Sequence, residues 1–75
     1  MKTVNIFLHR IDDVKEFVNT IKDIEGDISL SNGKSIVDAK SIIGIFSLDL
    51  SKPVKLEIED WKDEYSILLQ KFMIV

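Results

Sequence analysis

The sequence predicts an α+β fold: an α/β open-faced sandwich with the element order βαββαβα, in which three helices cover one face of a four-stranded sheet. Three observations support this class. Apolar residues alternate with polar ones in several stretches, and in others they recur every three or four residues. An Asn-Gly pair between two strand-like stretches is typical of a hairpin turn. The length of 75 residues predicts a single domain, residues 1–75.

Four strands are predicted, over residues 3–9, 27–31, 35–37 and 54–59. The first one reads TVNIFLH and ends at His9, the only histidine in the chain. Asn32-Gly33 joins the second and third strands. In the fourth, apolar residues alternate with charged ones, which indicates one solvated face. The sheet is therefore expected to be buried on one side only.

Three helices are predicted: one over residues 12–25, a two-turn helix within 41–48, and a last helix with an apolar stripe of Trp61, Tyr65, Leu68, Leu69 and Phe72. The expected N-caps are Asp12 or Asp13, then Ser41, then Asp60. Glu16 would complete a capping box with Asp13, and Gly26 is expected to end the first helix.

Composition excludes several classes of function. Thirteen acidic and ten basic residues give a net charge of -3, which argues against nucleic acid binding. No apolar run approaches the roughly 18 residues of a membrane span, so we expect a cytoplasmic protein. Without cysteine, and with one histidine, neither a disulfide nor a metal site is expected. We find no nucleophile-base pair or cofactor motif, so neither an enzyme nor a cofactor is predicted.

The most distinctive stretch runs from the hairpin turn into the second helix. It reads SNGKS over residues 31–35 and DAKSIIGIFSL over residues 38–48. This stretch resembles the HPr family, the histidine-containing phosphocarrier proteins of the bacterial sugar phosphotransferase system. The resemblance implies an antiparallel sheet, and the family's element order agrees with the one predicted from the periodicity.

The resemblance also implies protein partners. Members of the family accept a phosphoryl group from enzyme I on a histidine at the end of the first strand and pass it to sugar-specific A components. In many Gram-positive members a dedicated kinase phosphorylates a serine at the start of the second helix, and the protein then acts as a corepressor with a transcriptional regulator. That serine corresponds to Ser41.

The histidine motif of the family, His-x-Arg-Pro, is not preserved in this chain. Alignment of the first helix without gaps places Arg10 at the histidine, Asp12 at the arginine and Asp13 at the proline. A shift by one residue aligns His9 with the histidine but places Ile11 and Asp12 at the supporting positions. A phosphohistidine carries about two negative charges. A carboxylate about 5 Å away would oppose it by about 3 kcal/mol at an effective dielectric constant near 20.

Three interpretations of His9 follow. It is an exposed residue without chemistry, or a displaced phosphoryl acceptor with Arg10 as partner, or a contact or pH-sensing residue.

Ser41 is expected to cap its helix and is a candidate for regulatory phosphorylation, with Lys40 as a neighbouring countercharge. Four apolar residues follow Ser41: Ile42, Ile43, Ile45 and Phe46. Either two of them are buried and the others are scattered exposed residues, or they form a docking patch together with Lys40.

The chain ends in FMIV, which is expected to pack on the edge of the domain or to meet a second copy, giving a monomer or a weak dimer.

The favoured function is that of a regulatory or protein-binding HPr-like protein that has lost efficient histidine phosphocarrier activity. One alternative is a working phosphocarrier that uses His9 with Arg10. Another is a free-standing interaction domain with no role in the phosphotransferase system.

Overall fold

A computed structural model describes residues 2–74 and shows the predicted order of elements. The strands are β1 (Lys2–Ile6), β2 (Ile28–Asn32), β3 (Ser35–Asp38) and β4 (Val54–Ile58), and the helices are α1 (Ile11–Ile21), α2 (Ile42–Phe46) and α3 (Glu64–Leu68). The strands form one antiparallel sheet in the order β1-β4-β2-β3. The helices cover one face of this sheet, so the predicted open-faced sandwich is confirmed.

The pairing of β4 with its two neighbours sorts the side chains between the two faces of the sheet. Leu56 of β4 is paired with Val4 of β1 and with Leu30 of β2, and this apolar row faces the helices. The next row places Lys55 of β4 beside Ser31 of β2. Lys55, Glu57 and Glu59 are all exposed. The charged side of β4 therefore belongs to the open face, as its alternation predicts.

Most of the apolar residues that the periodicity selects are buried. The buried residues of the sheet and α1 are Ile6, Ile28, Leu30, Val54, Leu56, Ile58, Val14, Phe17 and Ile21. The rings of Phe17 and Phe72 meet edge to face, with centroids 5.5 Å apart. Because Phe72 follows the last helix, this contact attaches the C-terminal segment to α1.

The first strand and the first helix are both shorter than predicted. β1 ends at Ile6 rather than at His9, because its partner β4 begins opposite Ile6, at Val54. The residue before Val54 is proline, which has no N–H to donate. α1 ends at Ile21, and the Ile24 N–H bonds to the Ile21 carbonyl oxygen at 3.0 Å in a tighter turn. Ile24 therefore lies in a turn and not in the helix, although it is buried and is spaced three residues from Ile21 as a helical residue would be.

The last helix also differs from its prediction. Asp60 is not its N-cap, because α3 begins at Glu64 and Asp60 lies in a turn four residues earlier. Trp61 precedes the helix and meets the ring of Tyr65 edge to face, at 5.8 Å. Leu68 is 48% exposed and does not belong to the core. Tyr65, Leu69 and Phe72 are buried, as expected.

The C-terminal segment packs along the edge of β1, one of the two alternatives expected for it. Met73 forms a β-bridge with Ile6, and the Ile74 N–H donates to the Asn5 carbonyl oxygen at 3.1 Å. Val75 lies outside the described residues. The expected weak dimer stays a prediction. None of the helices described here has the length and apolar character needed to cross a membrane.

Candidate functional site

The start of α1 is organised by Asp13. Arg10 is the N-cap residue, with extended backbone angles of φ −136° and ψ 161°, so the prediction that Asp12 or Asp13 is the N-cap is wrong. Asp13 occupies the third position of the helix and its Oδ2 accepts the backbone N–H groups of His9 and Arg10, each at 3.1 Å. Asp13 therefore closes the helix entry from inside, as the acidic member of a capping box does. The prediction that Glu16 completes the capping box is wrong, because Asp13 is the acidic residue at the third helical position.

His9 is exposed and lies two residues before α1. Its imidazole stacks on the ring of Phe7, with centroids 4.0 Å apart and planes 5° from parallel. It shares a surface cavity of about 220 Å³ with Phe7, Asp13, Glu16, Lys71 and Phe72. The stacking fixes the plane of the imidazole while leaving the residue open to solvent.

Arg10, the expected phosphate partner, does not line this cavity. Its Nη2 lies 3.8 Å from Oδ2 of Asp12, and both side chains are more than 70% exposed. An exposed ion pair of this kind is weak and adjustable. Arg10 is therefore next to His9 in the sequence, but its guanidinium lies near Asp12.

Carboxylates predominate around His9. Asp12 and Asp13 belong to the first turn of α1, where the helix dipole attracts negative charge, and Glu16 lies in the second turn. The nearby cations are Arg10, paired with Asp12, and Lys71, paired with Glu16. The positive end of the helix is thus already compensated by the chain's own carboxylates.

Ser41 caps α2, as predicted. Its Oγ accepts the Gly44 N–H at 3.1 Å, and its carbonyl oxygen accepts the Ile45 N–H at 3.0 Å. Gly44 allows a close approach, because a Cβ at that position would lie 3.3 Å from both Ser41 Oγ and Val37 Cβ. Ser41 is half-buried, with its hydroxyl oxygen at the helix entrance.

Lys40, the expected countercharge next to Ser41, forms two hydrogen bonds within the fold. Its Nζ donates to the Ile24 carbonyl oxygen at 2.5 Å, and its backbone N–H donates to Oδ1 of Asp38 at 2.9 Å. Both bonds hold the residue between the end of α1 and the end of β3. The ammonium therefore ties the segment before α2 to the turn after α1.

The residues expected to form a docking patch divide between core and surface. Ile43 is 86% exposed, and Ile42 and Phe46 are 39% and 44% exposed. Ile45 is fully buried, which corrects its place in the patch, because its side chain contacts the core and not the surrounding solvent. The docking patch is accordingly defined here as Ile42, Ile43 and Phe46.

The sequence does not predict that Lys71 and Phe72 line the same cavity as His9. Glu16 follows Asp13 by three residues, a spacing that places two side chains on one face of a helix and could have indicated its position. No local pattern indicates Lys71, because it reaches the cavity only after the C-terminal segment has paired with β1.

Comparison with known proteins identifies one family. A family model described as "PTS HPr component phosphorylation site" matches residues 13–68, which is well over half of the chain. This span contains Ser41 and begins after His9 and Arg10. Searches of curated proteins and of solved structures found no match. The family match and the observed fold together show that the chain belongs to the HPr family of the phosphotransferase system.

Proposed function

We propose that the protein is a regulatory or protein-binding HPr-family member that lacks efficient phosphocarrier activity at His9 and is controlled at Ser41. The observation that supports this most directly is the position of the Asp13 carboxylate, which accepts the backbone N–H groups of both His9 and Arg10. Free N–H groups at a helix entry are what a phosphate binds. In this chain the Asp13 carboxylate already accepts the two N–H groups that precede the helix, those of His9 and Arg10.

The charges at the start of α1 support the same proposal. A phosphoryl group on His9 would carry about two negative charges and would face the carboxylates of Asp13 and Glu16, which line the same cavity, while Asp12 lies in the same helical turn as Asp13. At about 5 Å and a dielectric constant near 20, each such charge pair is unfavourable by about 3 kcal/mol. Solvent exposure and salt reduce this value. Even half of it corresponds to at least a tenfold loss in equilibrium phosphorylation, because about 1.4 kcal/mol is a factor of ten.

Incubation with enzyme I, phosphoenolpyruvate and magnesium tests the proposal. Intact mass would report whether the chain gains one phosphate, and acid treatment would distinguish phosphohistidine from a phosphate ester. His9→Ala is the matched control. We expect little or no acid-labile phosphate on the wild-type protein. Rapid and complete phosphorylation that disappears in His9→Ala would contradict the proposal.

Control at Ser41 is supported by its place at the start of α2. A phosphate at a helix N-terminus is electrostatically favourable, so the position accepts the modification without an expected loss of the fold. Incubation with the serine kinase and ATP provides the test. Ser47→Ala is the matched control, because Ser47 lies at the other end of the same helix and is exposed. A phosphate that persists in Ser41→Ala, or none at all, would remove this part of the proposal.

The proposed partner surface is the docking patch of Ile42, Ile43 and Phe46, which adjoins Ser41. Exposed apolar residues next to a modifiable serine suit a protein partner whose affinity changes on phosphorylation. We propose phosphotransferase partners in the cytoplasm: enzyme I, sugar-specific A components, the serine kinase or a transcriptional regulator. Binding that is unchanged in Ile43→Ser would argue against this surface.

A second candidate is a working phosphocarrier on His9 with Arg10 as the phosphate partner. The exposure of His9 and its stacking on Phe7 favour this candidate, since the imidazole is both accessible and oriented. It predicts that Arg10→Gln lowers the rate of phosphorylation by enzyme I. The proposed regulatory function predicts no such dependence, because little phosphate is transferred in either protein.

A further inference from the structure

The cavity at His9 contains a cation that the family motif does not include. Lys71 lines it together with His9, whereas Arg10 does not. Lys71 reaches this place because the segment after α3 runs back along β1, where the Phe7 N–H donates to the Phe72 carbonyl oxygen at 2.8 Å. Backbone pairing thus holds a basic residue at the cavity that His9 also lines.

The ammonium of Lys71 is already engaged. It forms an ion pair with Oε1 of Glu16 and lies 5.6 Å from the centroid of the Phe72 ring. Both charged side chains are about half exposed, at 56% and 51%. Ion pairs with this exposure are weak, and a doubly charged anion nearby competes well for the same ammonium.

We propose that Lys71 is the positioning cation for a phosphoryl group on His9, and that Glu16 withholds it in the unmodified protein. The inference rests on the proposed function, since it names a second cause of weak acceptor activity beside Asp13. Glu16 acts in two ways: it adds a negative charge to the cavity, and it occupies the one ammonium that lines it. The second effect depends on Lys71, and the first does not.

A double-mutant cycle separates these two effects. The four proteins are the wild type, Glu16→Gln, Lys71→Met and the protein with both changes. If Glu16 only repels phosphate, then Glu16→Gln raises acceptor activity equally with and without Lys71. If Glu16 also withholds the ammonium, then the gain from Glu16→Gln is larger in the protein that keeps Lys71 than in Lys71→Met.

Potassium phosphoramidate is a suitable donor because it requires no protein partner. In the reaction, the P–N bond of phosphoramidate breaks, a P–N bond to an imidazole nitrogen of His9 forms, and the nitrogen of the donor leaves as ammonia after taking up a proton. The initial rate is read from intact mass. His9→Ala reports the background, and Asp23→Asn controls for the loss of an exposed carboxylate that does not line the cavity.

We expect Glu16→Gln to raise the rate about two- to fivefold, the range of an exposed ion pair, and we expect a smaller gain in the Lys71→Met background. Asp23→Asn is expected to match the wild type. An equal gain in both backgrounds, no gain, or no His9-dependent phosphate in any variant would overturn the inference. Its failure is distinguishable from failure of the proposed function, which is judged by phosphorylation of the wild-type protein by enzyme I.

Discussion

The Asp13 carboxylate accepts the backbone N–H of His9 at 3.1 Å, and this contact relates the fold to the proposed loss of phosphocarrier chemistry. It stabilises the entry to α1 and places a negative charge beside the histidine. One residue therefore has a structural role and a chemical consequence. The two can be separated, because an amide accepts the same hydrogen bonds without the charge.

Asp13→Ala is expected to lower the free energy of unfolding by about 1 kcal/mol, the usual cost of losing a side-chain cap. Asp13→Asn should cost less, since its amide oxygen still accepts from the backbone of His9 and Arg10. Urea unfolding followed by the fluorescence of Trp61 measures both. Equal stability of Asp13→Ala and the wild type would show that the contact does not support the helix.

Ser41→Ala is expected to lower the free energy of unfolding by about 1 kcal/mol, because the Gly44 N–H loses its acceptor. Ser41→Asp retains a capping oxygen and adds negative charge at the helix start, so its stability should stay close to that of the wild type. The same urea measurement compares them. A loss in Ser41→Asp as large as that in Ser41→Ala would contradict the expectation that α2 accepts negative charge at this position.

Two isoleucines of α2 distinguish the docking patch from the core. Ile45→Ala should cost about 2–5 kcal/mol, because Ile45 is fully buried. Ile43→Ala should change stability by less than about 0.5 kcal/mol, because Ile43 is 86% exposed. Thermal and urea unfolding provide the comparison. A large loss in Ile43→Ala would show that this side chain packs within the fold and is not available to a partner.

The lowered pKa of Asp49 predicts that the stability of the fold depends on pH. The hydroxyl of Ser51, and then its backbone N–H, bond to Oδ1 of Asp49 and hold the pKa of that carboxyl below 3.8. Since the pKa is lower in the folded state, the carboxylate stabilises the fold above 3.8, and this contribution is lost as the pH falls through the folded pKa.

Asp49→Asn should therefore lower stability at neutral pH, and its difference from the wild type should shrink in acid below the unfolded pKa of about 4. Ser51→Ala keeps the backbone bond and is expected to show a smaller effect in the same direction. Urea unfolding across this pH range checks both. A difference between Asp49→Asn and the wild type that does not change with pH would contradict the assignment.

Much of the fold is predictable because its signals are local. Alternation identifies the four strands, and Asn32-Gly33 identifies their tightest turn, where Gly33 adopts φ 63°. The caps and helix ends are less predictable, because several residues can satisfy one backbone group. Asp12 and Asp13 both look like N-caps, yet Arg10 takes that position and Asp13 reaches back to it.

The candidate site is less predictable than the fold. His9, Arg10 and Ser41 can be identified from the sequence, since they align with functional positions of the family or lie one residue from them. Lys71 cannot, because it comes to line the cavity at His9 only through tertiary pairing of the C-terminal segment with β1. Burial of Ile45 beside the exposed Ile43 also depends on how α2 is rotated against the sheet, which a two-turn pattern leaves undetermined.

The central claim is that Asp12 and Asp13 prevent efficient phosphorylation of His9. Asp12→Arg combined with Asp13→Pro tests it, since these changes remove both carboxylates and introduce the arginine and proline of the family motif, one residue farther from His9 than in His-x-Arg-Pro. A proline at position 13 removes no helical hydrogen bond, because the first one is donated by the Val14 N–H to the Arg10 carbonyl oxygen at 3.2 Å.

The decisive measurement is the initial rate of phosphorylation by enzyme I and phosphoenolpyruvate for this double variant relative to the wild type, with His9→Ala as background. The account predicts a rise of about tenfold or more, because removing the two carboxylates relieves more than about 1.4 kcal/mol of repulsion. A wild-type protein that is already fully and rapidly phosphorylated on His9, or a double variant that is no faster, would contradict it.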